Sequence, residues 1–130
     1  MSYRILVVED NPLNAELLTE WLRTEDYEVE CASDLQSAFS AVERLLPHAI
    51  LLDVQLGDED GLALAAWIRK QPALCHIPVI AVTAHAMDTE RHRVMRSGCN
   101  AFIAKPVDFR LLREQLNRWL PASLSSEPSK

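Results

Sequence analysis

This chain of 130 residues lacks a basic excess: 13 Lys and Arg stand against 19 Asp and Glu, for a net charge of −6. Such a chain has little with which to neutralise a run of phosphates, so direct nucleic-acid binding is not expected. Arg91, Arg93 and Arg96 give one predicted helix a local basic patch all the same. Long apolar runs are missing too, and none approaches the roughly 18 residues of a membrane helix. Met1-Ser2-Tyr3-Arg4 leads straight into a strand pattern and not into a signal peptide. The expectation is a cytoplasmic protein with no membrane contact. Cysteine is sparse: Cys31, Cys75 and Cys99 form neither a C-x-x-C pair nor an even set, and read as reduced and mostly structural.

What is present suits one packed domain. Hydrophobic residues make up 48% of the chain, enough for a core at this length. Short apolar runs alternate with helical periods. Strands are predicted over 4–8, 27–31, 49–53, 77–82 and 101–104. Asn11 caps a first helix with Pro12 at its first position, and Leu13, Leu17, Leu18, Trp21 and Leu22 recur at helical spacing. Ser33 or Asp34 caps a second helix, which Pro47 ends. A third runs over about 59–70 and a fourth over about 87–96, with Gly98 as its stop. Asp108 caps a fifth, which Pro121 ends. Near-continuous apolar strands between amphipathic helices predict an α/β fold with a parallel sheet covered on both faces. The favoured topology is flavodoxin-like and doubly wound: five parallel strands in the order 2-1-3-4-5, with five helices. Residues 1–120 form the predicted domain. The Ser- and Pro-rich stretch 121–130 reads as a disordered tail or linker.

In such sheets ligands bind beyond the carboxyl ends of the strands, near the switch point between strands 1 and 3. Four predicted strands here end on a reactive or charged group: Glu9-Asp10, Asp53, Thr83 and Lys105. Three clustered carboxylates repel one another. A hard divalent cation relieves that repulsion, and Mg²⁺ suits oxygen ligands of this kind. Asp53 is the candidate nucleophile toward a phosphoryl donor, forming an aspartyl phosphate. Lys105, one of only three lysines, can offset the phosphoryl charge as a compact ammonium. A cis Lys105–Pro106 bond would aim its amine inward, although most such bonds are trans. The Thr83 hydroxyl can bond a phosphoryl oxygen. Each residue has a plainer reading on its own. Glu9-Asp10 could decorate a helix start, Lys105 could be a solvated strand end, and Thr83 a β-branched strand residue. Phe102 could be a core aromatic.

The chain resembles the response-regulator receiver (CheY-like) domain over residues 4–120. The resemblance rests on Ile5-Leu6-Val7-Val8-Glu9-Asp10-Asn11, Leu51-Leu52-Asp53 followed by Asp60-Gly61, Val82-Thr83-Ala84, and Phe102-Ile103-Ala104-Lys105-Pro106. Within the family the pattern is most similar to single-domain regulators and receivers of hybrid histidine kinases. It implies Asp53 as phosphoacceptor and Mg²⁺ held by Glu9, Asp10, Asp53 and the backbone carbonyl of Gln55. Thr83 and Lys105 would hold the phosphoryl group. Thr83 and Phe102 would switch the surface of helix 4, strand 5 and helix 5. Gln55 and His85 occupy the two positions that tune phosphoryl lifetime. The implied partners are a histidine kinase or histidine phosphotransfer protein and a downstream effector. A monomer or a phosphorylation-dependent dimer fits, and catalysis is confined to the domain's own phosphorylation and dephosphorylation. Two positions vary on the family pattern. Gly57 stands where Pro is frequent, which predicts a more mobile loop, and Phe102 stands where Tyr is frequent, removing a hydroxyl.

Three other functions compete. An aspartate-nucleophile phosphatase carries its D-x-D/T pattern after the first strand, whereas Asp53 is on the third and precedes Val54-Gln55. A flavin module needs a phosphate-cradling loop after strand 1, where Glu9-Asp10 would repel a phosphate. A degenerate receiver that only binds partners would not need the complete residue set.

Overall fold

The computed structural model describes residues 2–85 and 87–120, so the expected tail over 121–130 lies outside the described residues. The chain runs β1 (Arg4–Val8), α1 (Pro12–Thr24), β2 (Glu28–Ala32), α2 (Leu35–Leu45), β3 (Ala49–Asp53), β4 (Gln55–Leu56), β5 (Glu59–Asp60), α3 (Leu62–Arg69), β6 (Val79–Thr83), α4 (Asp88–Arg96), β7 (Ala101–Ala104) and α5 (Phe109–Trp119). The main sheet has the order β2-β1-β3-β6-β7, with every pairing parallel. Without the short β4–β5 hairpin, β6 and β7 are the fourth and fifth predicted strands, and the order is the expected 2-1-3-4-5.

The inner strands carry the apolar runs because both their faces are covered. All five residues of β3 and of β6 are buried. Alternation along β1 sends Leu6 and Val8 to one face and Ile5 and Val7 to the other. The first face packs against Ala38 and Val42 of α2, Leu64 and Ile68 of α3 and Val94 of α4. The second packs against Leu18 and Leu22 of α1 and Leu112 and Leu116 of α5. Each fully buried Leu or Ile contributes roughly 1.5–3 kcal/mol. No helix among the described residues is long and apolar enough to cross a membrane.

The helix starts follow the caps. The Asn11 side chain accepts from the N–H groups of Leu13 and Asn14, with Pro12 next. Asp34, not Ser33, caps α2 and accepts from the Ser37 N–H. Asp108 caps α5. Four expectations need correction. First, α3 begins at Leu62 and not near 59, because Glu59 and Asp60 pair antiparallel with Leu56 and Gln55. Gly57 is the first of the two residues turning that hairpin, with φ 58°, a value proline cannot adopt. The loop expected to be more mobile is thus tied into a ladder. Second, β6 starts at Val79, because Pro78 has no N–H to donate; its carbonyl accepts from Ile50 N at 3.0 Å. Third, α4 begins at Asp88, one residue past the approximate start expected, and Met87 before it makes no side-chain capping bond. Fourth, Leu13 and Leu17 do not join the core: they are 71% and 56% exposed on α1.

Candidate functional site

Among the described residues, the buried polar or charged side chains are Glu9, Asp53 and Thr83, at 4%, 6% and 2% exposure. All three stand at the carboxyl ends of strands: Glu9 just beyond β1, Asp53 closing β3, Thr83 closing β6. A polar group is costly to bury unless partnered, and no buried side-chain nitrogen or oxygen among the described residues lacks a partner. Lys105 supplies the countercharge. Its N–H extends the β7 ladder to the Thr83 carbonyl at 2.8 Å. Its ammonium donates to Asp53 Oδ2 at 3.0 Å and to Glu9 Oε1 at 3.3 Å. The Lys105–Pro106 peptide bond is cis. Backbone N–H groups fix the other oxygens: Asn11 N donates to Glu9 Oε2 at 3.1 Å, and Gln55 N donates to Asp53 Oδ1 at 3.2 Å.

Asp10 lies exposed at the start of α1. One carboxylate oxygen from each of Glu9, Asp10 and Asp53 falls within 4.8 Å of the others. Burial pushes the Glu9 carboxyl up to about 7, and sharing the site with Asp53 pushes the same way, against the Asn11 N–H and the Lys105 charge. Burial alone would lower Lys105, yet its bonds to Asp53 and Glu9 raise it above the ordinary lysine range. Three carboxylates facing one ammonium leave an excess of negative charge on hard oxygen donors. That donor set fits a divalent cation of the Mg²⁺ type.

The Thr83 hydroxyl accepts from the His85 N–H at 3.0 Å and donates to Glu90 Oε2 at 3.5 Å. His85 is exposed at the mouth of the site. Glu9, Asp10, Asp53, Gln55, Thr83, His85 and Lys105 all line one cleft of about 310 Å³. Phe102 does not line it. Thr83 pairs with Ala104, so Phe102, two residues back along β7, shares a sheet face with Thr83. Its half-buried ring packs on the core and lies under the Arg91 guanidinium, 5.6 Å from carbon to ring centroid.

Sequence reasoning missed the flank of the site. Arg93 does not join the expected basic patch. Still exposed, it donates to Asp60 Oδ2 at 2.8 Å and to Glu90 at 3.3 and 3.4 Å. Glu90 and Arg93 at i,i+3 look like a solvated helix face, and no signal in the sequence marks them otherwise. Gly61 packs on the strand that carries Asp53: a Cβ there would come within 2.2 Å of the Asp53 carbonyl oxygen. The Asp60-Gly61 pair was visible in the sequence, but its reason was not.

Comparison with known proteins agrees with this geometry. A family model described as the response regulator receiver domain matches residues 5–117. The polar-differentiation response regulator DivK of Brucella ovis is 36% identical over 121 residues, covering 92% of this chain and 98% of that protein. The receiver domain of the sensor histidine kinase PA1611 from Pseudomonas aeruginosa, solved with a magnesium ion coordinated in its active-site cleft, is 35% identical. It superposes with a TM-score of 0.84, covering 92% of this chain and 98% of that one. A response regulator structure from Chloroflexus aurantiacus gives the same TM-score at 29% identity, covering 90% and 97%.

Proposed function

Since this chain belongs to the response regulator receiver family, a family of signalling domains and not of classical enzymes, we propose that Asp53 is its phosphoacceptor in a phosphorelay. The observation that carries this reading is the buried, strand-end set of Glu9, Asp53 and Thr83 with Lys105 bonded to two of its members. An Asp53 oxygen attacks the phosphorus of a phosphohistidine on a kinase or phosphotransfer protein. The P–O bond forms as the P–N bond breaks, and the imidazole leaves with the electron pair and takes up a proton. Lys105, already 3.0 Å from an Asp53 oxygen, stabilises the charge on the transferred group. The Thr83 hydroxyl donates to one of its oxygens. Glu9, Asp10, Asp53 and the Gln55 carbonyl would hold Mg²⁺, which would supply neutralisation of the phosphoryl charge. His85 and Gln55, at the mouth of the cleft, set how readily water reaches the phosphoryl group. Engagement of Thr83 draws Phe102 with it and shifts the population of the α4–β7–α5 face toward a form that an effector binds.

A protein donor must seat its histidine at the mouth of the cleft, and the ground beside that mouth is apolar. Exposed Leu13 and Leu17 stand on α1. Leu17, Pro106, Val107 and Phe109 line an adjoining hollow of about 400 Å³. This is the surface on which the donor is expected to dock.

Incubation with acetyl phosphate and Mg²⁺, followed by intact mass, tests the reading. Wild type gains a single phosphoryl group and Asp53→Asn gains none. No gain in wild type, or an equal gain in the variant, overturns it.

A further inference from the structure

Three arginines form ion pairs among the described residues. Arg44 pairs with Glu30, Arg93 with Asp60 and Glu90, and Arg113 with Glu25. Arg91 on α4 and Arg118 on α5 make no ion pair among the described residues. Each guanidinium lies over an aromatic ring instead: Arg91 over Phe102 at 5.6 Å and Arg118 over Trp119 at 5.4 Å. These four side chains, with Met95 and Gln115, line one depression of about 320 Å³ to which no carboxylate contributes. Met95 is 44% exposed there. The result is a depression in which Phe102, Met95 and Trp119 lie between two guanidinium groups, with Asn100 and Gln115 also lining it, on a chain whose net charge is −6.

A guanidinium held over a ring and bonded to no carboxylate can still offer its N–H edge, and that edge matches a carboxylate in two parallel hydrogen bonds. Stacking also holds it in place before a partner arrives, so less freedom is lost on binding. Arginine and tryptophan are the residues in which binding energy concentrates at protein interfaces. A second copy of this chain is a poor occupant. A two-fold contact through this depression would set the arginines of both copies against each other.

We propose that the depression receives an acidic segment of a partner protein. One apolar side chain seats against Phe102, Met95 and Trp119, and flanking carboxylates take Arg91 and Arg118. This inference rests on the reading of the α4–β7–α5 face as the output surface, and it assigns that surface the chemistry of its partner. Phe102 is both the ring under Arg91 and the residue that shares a sheet face with Thr83. Rearrangement at Thr83 is therefore expected to reach the depression through Phe102.

The probe is a labelled, glutamate-rich copolymer of glutamate and tyrosine, titrated against the full chain by fluorescence anisotropy, with a lysine–tyrosine copolymer as control. Arg91→Glu and Arg118→Glu are expected each to weaken binding by about tenfold or more. Arg23→Glu, an equal charge change on α1, is expected to bind like wild type, and binding should weaken as salt rises. Phosphorylation by acetyl phosphate is expected to change the affinity. The proposal is overturned if both depression variants bind like Arg23→Glu, if those variants weaken the lysine copolymer as much as the glutamate one, or if sedimentation finds a wild-type dimer that Arg118→Glu dissociates. Arginine-dependent binding that phosphorylation leaves unchanged supports the docking site and counts against the output reading alone.

Discussion

The Thr83 hydroxyl has two neighbours, and only one of them competes with its proposed task. The His85 N–H at 3.0 Å uses a lone pair. Glu90 Oε2, at 3.5 Å, takes the proton that a phosphoryl oxygen would need. Arg93 holds Glu90 in that position and ties it to Asp60, in the segment that follows Asp53. At 3.5 Å the contact is longer than an ordinary O–H···O bond and contributes at most about 0.5 kcal/mol. Glu90→Ala is therefore expected to speed phosphorylation by acetyl phosphate about twofold, while Thr83→Ala slows it. Initial rates followed by intact mass decide this; a Glu90→Ala rate equal to or below wild type would sink it. Asp53, Glu9 and Lys105 were legible in the sequence because each breaks an apolar run at its end. Glu90 and Arg93 were not, because a charged helix turn reads the same whether it faces water or a neighbouring loop.

At the scale of elements, the joints hold more information than the elements themselves. Arg69 closes α3 and donates to the carbonyls of Gly98 at 2.8 Å, Cys75 at 3.1 Å and Ile77 at 2.9 Å, and to Asn100 Oδ1 at 2.6 Å. One side chain thus ties the end of α3 to the approaches of β6 and β7. Arg69→Ala leaves the three carbonyls without this donor, while Asn100 Oδ1 keeps the Val79 N–H at 2.9 Å, and a loss of about 2–4 kcal/mol is expected. Urea unfolding measures it, and a loss under about 1 kcal/mol would contradict the account. His48 makes a second joint. Its Nδ1 accepts from the Arg4 N–H at 2.9 Å where β1 meets β3. Burial and the nearby Arg4 charge hold its pKa below the ordinary 6.5. The folded chain then binds fewer protons than the unfolded chain as pH falls past 6.5. The His48 contribution is complete above that pH and fades as pH drops through the lowered folded value. His48→Gln keeps an acceptor that does not titrate, so unfolding curves between about pH 5 and 7 should show a shallower pH dependence; a slope identical to wild type would rule this out. The strands of the sheet and all five helices were legible in the sequence, with α1, α2 and α5 marked also by their caps. The β4–β5 hairpin was not: four residues are too few for a period, and Gly57 signals a turn without naming its partners.

At the scale of the molecule, the parallel sheet gathers chemistry at one edge and leaves apolar surface beside it. The sequence pattern places Leu13 and Leu17 with Leu18, Trp21 and Leu22 in one stripe, yet the sheet is reached only by the last three, with Trp21 stacked on Phe109 at 4.9 Å. Periodicity reports that a face is apolar, not what covers it. The two leucines left outside stand on the first turns of α1, which begins two residues after Asp10. Leu17 also lines the hollow that Glu9 and Lys105 share. A small donor such as acetyl phosphate needs only the cleft, whereas a protein donor must also cover this ground. Leu13→Glu, at a position 71% exposed and outside both that hollow and the cleft, sets a charge on the docking surface without touching a phosphoryl-binding group. It should leave phosphorylation by acetyl phosphate within about twofold of wild type. Transfer from a phosphorylated histidine phosphotransfer protein should slow by about tenfold or more, the size expected for loss of a central apolar contact. Paired time courses with the two donors separate the effects. Equal slowing with both would mean that the substitution damages the cleft, and no slowing with either would place the donor on another face.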